Sequence, residues 1–210
     1  NRLDEAEAQF IKMTENAPND AMGHANLGLI YLRKSDYTKA EKAVQQALRL
    51  NSEDSDINLI LAEVYDAIER DEEAIQILQK SLSTSPGHLR SIYKIIDIYR
   101  NMAYARPEDR AVTAKRENYL LELVKLAPGN IPVRLQLIES LLTHGETDSA
   151  LAQMEVLIQQ IPEPPKEASR AIRETLKQMQ AGNNSMASRS FNVVHNVLKV
   201  TPRYQSGLWS

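Results

Sequence analysis

One interval, 34 residues, recurs along this chain and limits its fold more than any other feature. Ala6, Ala40 and Ala74 keep it, as do Tyr31, Tyr65 and Tyr99, and Pro128 with Pro162. Pro18, Ser52 and Pro86 fall in the same phase. Self-similarity at that period marks a row of like supersecondary units, each too small to cover its own apolar surface.

Within Ala21–Asp54, Leu27, Gly28 and Tyr31 share one helical face, and Ala40, Val44, Ala47 and Leu48 share another. The Ser35-Asp36-Tyr37 break separates the two. Small Gly28 and Ala40 allow close approach of two backbones, while Leu27, Tyr31, Val44 and Leu48 fill the space beside that contact. On Leu27, Gly28, Tyr31, Ala40 and Ala47, then Leu61, Ala62, Tyr65, Ala74 and Pro86, the chain resembles the tetratricopeptide repeat family. The resemblance spans nearly the whole chain. It implies an all-α fold, a right-handed superhelical solenoid of antiparallel helix pairs, with proteins bound on the concave side.

An array of repeats has no single core, so 210 residues count units, about five and a half of them. Hydrophobic residues at 42% with seven glycines fit an ordered helical chain. A net charge of −3 argues against nucleic acid as partner. The absence of cysteine excludes disulfides, thiolate metal sites and a cysteine nucleophile, and leaves cytoplasmic and bacterial extracytoplasmic locations equally open for a soluble chain. No run of about 18 apolar residues occurs, and the first twenty residues lack a signal-peptide pattern. Because Asn1 is not a start methionine, a processed chain or a fragment is expected.

Taken in order, residues 1–20 read as a half unit holding only a second helix, with Ala6, Phe10 and Met13 on one face. Regular units follow at 21–54 and 55–88, and Asp71 is expected to cap the second helix of the latter, with Glu72 and Glu73 in its first turn. The unit at 89–130 carries eight surplus residues near 103–110, which either lengthen both helices by about a turn or form a loop. Pro107-Glu108-Asp109 reads as a helix start. Spacing becomes regular again at 131–163 with a Gly145 turn, and 164–204 is a divergent unit with Gly182-Asn183-Asn184-Ser185 as a long turn. Residues 205–210 resemble the start of a further helix, and both ends look cut through a repeat.

No residue pattern points to catalysis. His24, His88, His144 and His195 fall in separate units without metal-ligand spacing, and no GxGxxG, GxxxxGK[ST] or GxSxG occurs. Neither a metal nor any other cofactor is expected, and the chain reads as a non-enzyme. Asn183-Asn184-Ser185 matches a glycosylation triplet but reads as a turn.

The resemblance places the inner, partner-binding surface on the first helix of each unit. Its positions are Met22, Ala25, Asn26 and Leu29; Asp56, Leu59, Ile60 and Glu63; and Arg90, Tyr93, Lys94 and Asp97. They continue with Pro132, Leu135, Gln136 and Glu139, then Lys166, Ser169, Arg170 and Arg173. The apolar members are expected to be exposed and to receive an extended or helical segment, with Asn26 and Gln136 bonding its backbone. The basic residues at Arg90/Lys94 and Lys166/Arg170/Arg173 favour an acidic protein or peptide. Family members that grip the carboxylate tail of chaperones use lysine and asparagine where this chain has Ala25, Leu29 and Ile60, so that clamp is not expected, although Arg90 and Lys94 match its basic pair. A second reading is head-to-tail self-assembly, through an N-terminal edge of Ala6, Phe10 and Met13 and a C-terminal edge of Phe191, Val194, Leu198 and Trp209.

Overall fold

A computed structural model describes residues 2–205 of the chain. Trp209 and the helix expected to start over 205–210 lie outside them, apart from Gln205, which is a turn residue. Every regular element is helical, with no strand among the described residues. The chain divides into two compact units, Asn1–Glu108 and Asp109–Ser210.

The first unit holds α1 (Arg2–Asn16), α2 (Ala21–Arg33), α3 (Tyr37–Leu50), α4 (Ser55–Ala67), α5 (Asp71–Thr84) and α6 (Leu89–Ala105). Each helix packs on its sequence neighbour, and α2, α4 and α6 also touch in succession. One cluster shows why. Buried Ala25, Val44, Ala47, Ile57 and Leu61 come from α2, α3 and α4, and Ile77 of α5 packs against them. The interior of one hairpin is therefore completed by the next.

Local chemistry sets where these helices begin and end. Asp20, Asp36 and Asp54 cap α2, α3 and α4, their carboxylates accepting from the first free amides, as Asp54 does from Asp56 N at 2.9 Å and Ile57 N at 3.1 Å. Asp71 does not cap α5. It is the first residue of that helix, Arg70 takes the capping position without a side-chain bond, and Arg70 instead grips Glu73. Burial first, then the charges of Asp66, Glu72 and Glu69, raise the Asp71 carboxyl above its ordinary value.

The first helices of four hairpins end alike. Asp36 N, Arg70 N, Glu146 N and Asn183 N each donate to a carbonyl five residues back at 2.9 Å, and the residue before each has φ between 59° and 80°. This is a Schellman closure, which a left-handed residue makes geometrically feasible. Glycine fills that place at 145 and 182, whereas Ser35 and Glu69, themselves 34 apart, adopt it with a side chain.

The second unit holds α7 (Arg110–Leu126), α8 (Ile131–His144), α9 (Thr147–Gln160), α10 (Lys166–Gln180), α11 (Asn184–Val200) and a 3-10 turn at Pro202–Tyr204. Helices α6 and α7 each run 17 residues, against 13 or 14 in α2 to α5, so the surplus before Pro128 goes mostly into helix. Pro107 and Glu108 lie in the turn before α7 instead of opening it. Asp109 is the cap, accepting from Ala111 N at 3.0 Å and Val112 N at 3.3 Å. The turn before α11 is shorter than expected as well, because Asn184 and Ser185 already belong to the helix.

Packing in this unit departs from that in the first. α8 packs on α7 and α9, but its third neighbour is α11, and α10 touches α9 only lightly. Two polar links hold α11 there: His195 Nδ1 to Glu139 Oε2 at 2.8 Å and Thr147 Oγ1 to Asn184 Oδ1 at 2.8 Å. α8 is consequently buried around most of its girth, Arg134 included. That guanidinium donates to Gln153 and Gln160 side chains and to the Pro128 carbonyl, so its donors meet acceptors although it has no carboxylate partner among the described residues.

Gly28 shows how tight the hairpin contact is. A Cβ there would stand 2.4 Å from Val44 Cγ2 and 3.3 Å from the Ala40 carbonyl oxygen. Val44 is fully buried and β-branched, so it yields little. Overpacking costs about 1–3 kcal/mol, against about 1 kcal/mol that alanine gains in helix propensity. Gly28→Ala is expected to lower the urea midpoint, and in Gly28→Ala/Val44→Ala the two losses should sum to less than their separate values.

Candidate functional site

The inner positions of the first unit form ladders with the repeat spacing. Met22, Asp56 and Arg90 make one, Asn26, Ile60 and Lys94 a second, Leu29, Glu63 and Asp97 a third, and Ala25, Leu59 and Tyr93 a fourth. Because α2, α4 and α6 touch in succession, these ladders are brought side by side. The first three are exposed or half-buried in every member.

The fourth ladder corrects the sequence reading. Ala25 is 0% and Leu59 3% exposed, so neither lines an open surface. The reason is that α4 has neighbours on several sides, α2 and α6 as well as α3 and α5, and the position held by Leu59 turns into that packing. Ile60 is only partly available too, being packed against the core cluster. Tyr93, on α6, is half-buried.

The basic residues of this face are already matched. Arg90 Nη1 lies 2.6 Å from Asp56 Oδ1, Lys94 Nζ lies 2.6 Å from Asp66 Oδ2, and Arg100 is paired with Asp97. The two pairs with 2.6 Å contacts differ in commitment. Side chains of Arg90 and Asp56 are more than half exposed or at half, where a pair contributes about 0–1 kcal/mol and exchanges partners readily. Lys94 and Asp66 are 18% and 21% exposed, so opening that pair would strand a charge in a poorly solvated place. The free positive charge expected at Arg90 and Lys94 is thus largely neutralised, as is the negative charge of Asp97 by Arg100, while Glu63 adds negative charge.

In the second unit the expected lining is not assembled. Leu135 is 2% exposed, Glu139 is held by His195, and Gln136 accepts from Arg116 Nη2 at 3.4 Å. The helix beside α8 is α11 instead of α10, so Arg170 and Arg173 are exposed on α10 and do not extend the α8 surface through that contact. The expected self-association edges differ from each other. Ala6 and Phe10 are half-buried and Met13 is 42% exposed, whereas Phe191, Val194 and Leu198 are each 0% exposed. Packing of α11 onto α8 and α10 uses up that apolar stripe, so it does not form an open C-terminal edge.

Each histidine is hydrogen-bonded within the chain: His24 to the Pro18 carbonyl, His88 to Ser91, His144 to the Ser140 carbonyl and His195 to Glu139. No group of three or more metal-ligating side chains occurs among the described residues. No helix among them is long and apolar enough to cross a membrane. Asp66, which takes Lys94, was missed by sequence reasoning because it lies at the end of α4, away from the inner positions. The placement of α11 left one faint trace, a Gly145-to-Gly182 interval of 37 where the repeat would give 34.

The family model for the tetratricopeptide repeat matches residues 1–45 and 25–88. The anaphase-promoting complex subunit CDC16 of Saccharomyces cerevisiae is 28% identical over 141 residues, covering 57% of this chain, and the chain spans 17% of that protein's length. The crystal structure of YrrB, described as a TPR protein with an unusual peptide-binding site, superposes with a TM-score of 0.62 at 19% identity, over 90% of this chain and 91% of that one. Pseudomonas aeruginosa pilF gives a TM-score of 0.62 at 16% identity, over 97% and 88%. The last two likenesses speak for the fold.

The contact that seats α11 is open to a pH test. Its hydrogen bond and charge from His195 hold the Glu139 carboxyl below the ordinary value. A carboxyl lowered on folding stabilises the native state above its unfolded pKa, and the contribution disappears as pH falls through the folded value. Glu139 is 42% exposed, so solvent screening limits the effect to about 1 kcal/mol or less at neutral pH. Glu139→Gln should have a lower urea midpoint than the parent at about pH 7, and the difference should shrink steadily as pH is lowered below the ordinary carboxylate range.

Proposed function

The chain is a tetratricopeptide-repeat protein, and from that footing we propose that it is a non-catalytic scaffold whose α2, α4 and α6 receive a segment of another protein. Members of the family are generally non-catalytic scaffolds. The observation that supports the reading most is the set of three exposed or half-buried ladders brought together on adjacent first helices.

Their chemistry favours a particular kind of segment. Met22, Leu29, Ile60 and Tyr93 offer apolar or aromatic surface that is only partly used in packing. Asn26 offers an amide able to donate and accept from a peptide backbone. With Arg90 and Lys94 already paired and Glu63 beside them, the face is left without surplus positive charge. A segment with apolar anchors, extended or helical, fits this lining. The description of YrrB as having a peptide-binding site is consistent with that use of the fold.

Peptides selected from a random display library against the whole chain provide the test. Met22→Glu/Asn26→Ala alters the face at one exposed and one half-buried position and should leave the thermal melt unchanged. Selected peptides are expected to bind this variant about tenfold more weakly, a loss of about 1.4 kcal/mol in a fluorescence titration. Undiminished affinity across the selected set would remove α2 from the binding face.

A further inference from the structure

Helix α10 carries Lys166, Arg170, Arg173 and Lys177 at helical spacings of four, three and four, and all four are exposed. They line about 16 Å of one helix side, while Ala168, Ala171, Ile172, Thr175 and Met179 are buried. None of the four has an ion-pair partner among the described residues. In the first unit, by contrast, Lys34, Arg70, Arg90 and Lys94 each reach a carboxylate on another helix. From 164 to 210 there are seven lysines and arginines but only Glu167 and Glu174 as acids, in a chain whose net charge is −3.

This stripe is kept against the electrostatics of its own helix. Like charges three and four residues apart repel. Lys166 also stands in the first turn, where the helix dipole disfavours a cation. Only Lys177, in the last turn, sits where the dipole favours it. Glu174 is occupied by a hydrogen bond from Gln178 at 2.6 Å. Glu167 and Glu174, the acids of this helix, form no ion pair with the stripe among the described residues, so its four cations remain open to a partner.

We propose that the Lys166–Arg170–Arg173–Lys177 stripe is a docking surface for a carboxylate-rich segment of another protein. Two of the four are arginines, whose planar donors fit carboxylates two bonds at a time. Exposed residues of α10 include no aromatic ring on which a base could stack and no aliphatic side chain to enter a bilayer, so charge matching with a protein segment is the chemistry on offer. The stripe belongs to the second compact unit, α2, α4 and α6 to the first, and the proposal does not rest on that reading.

The probe is a fluorescein-labelled peptide of about sixteen residues with glutamates at the same helical spacing, titrated by anisotropy into the full chain. Binding is expected, weakening as salt is raised. Arg170→Glu/Arg173→Glu should lose at least about tenfold in affinity, Arg170→Lys/Arg173→Lys should lose less, and Met22→Glu/Asn26→Ala should bind as the parent does. Circular dichroism melts establish that each variant is folded, and Arg170→Gln/Arg173→Gln substitutes if charge reversal unfolds α10. No binding, equal binding by the charge-reversed or neutralised variant, or tighter binding to a single-stranded oligonucleotide or to phosphatidylserine vesicles would overturn the proposal.

Discussion

Contact between one helix hairpin and the next is what the first unit depends on. A pair such as α2 and α3 has two apolar faces and can cover only one of them internally, so Ala25, Val44 and Ala47 are sealed by Ile57 and Leu61 from α4. The approach has to be close. Gly28 sits against Val44 and the Ala40 backbone with no room for a methyl group, and at that separation the dispersion contacts of both helices are fully used. Caps and Schellman closures then hold each helix to the length at which the next one meets it.

That same packing decides which side chains remain for a partner. Inner positions rotated toward a neighbouring first helix, Ala25 and Leu59, vanish into the interior, and those rotated away, Met22, Asn26 and Leu29, stay reachable. Charge follows a related logic. Helices of the first unit stand close enough for long side chains to reach across, so Lys34 meets Asp4 and Arg90 meets Asp56. On α10 the cations have no such neighbour among the described residues, and their charge stays on the surface.

The second unit shows one fold principle yielding to another. Stacking the first helix of the last pair on α8 would continue the pattern, but α11 has the better apolar stripe, Ala187, Phe191, Val194 and Leu198 all buried. α10 buries two alanines, a threonine, one isoleucine and one methionine, and no aromatic ring. The helix with more surface to remove from water takes the place beside α8, and the face of α8 that would have been lining becomes interior.

Sequence by itself determined the helical class, the period, the Gly28–Ala40 contact and most of the breaks, because these are local or recur at a fixed interval. Spacing writes them directly into the residues. It could not decide how far each inner side chain is exposed, that Asp66 would take Lys94, or that α11 would lie on α8. Those outcomes compare the areas and charges of helices distant in the chain, and tertiary contact alone settles such comparisons. Asp71 and Pro107 mark the boundary between the two: each has the right residue type for a helix start, yet the start was placed one or three residues away by the packing of the whole helix.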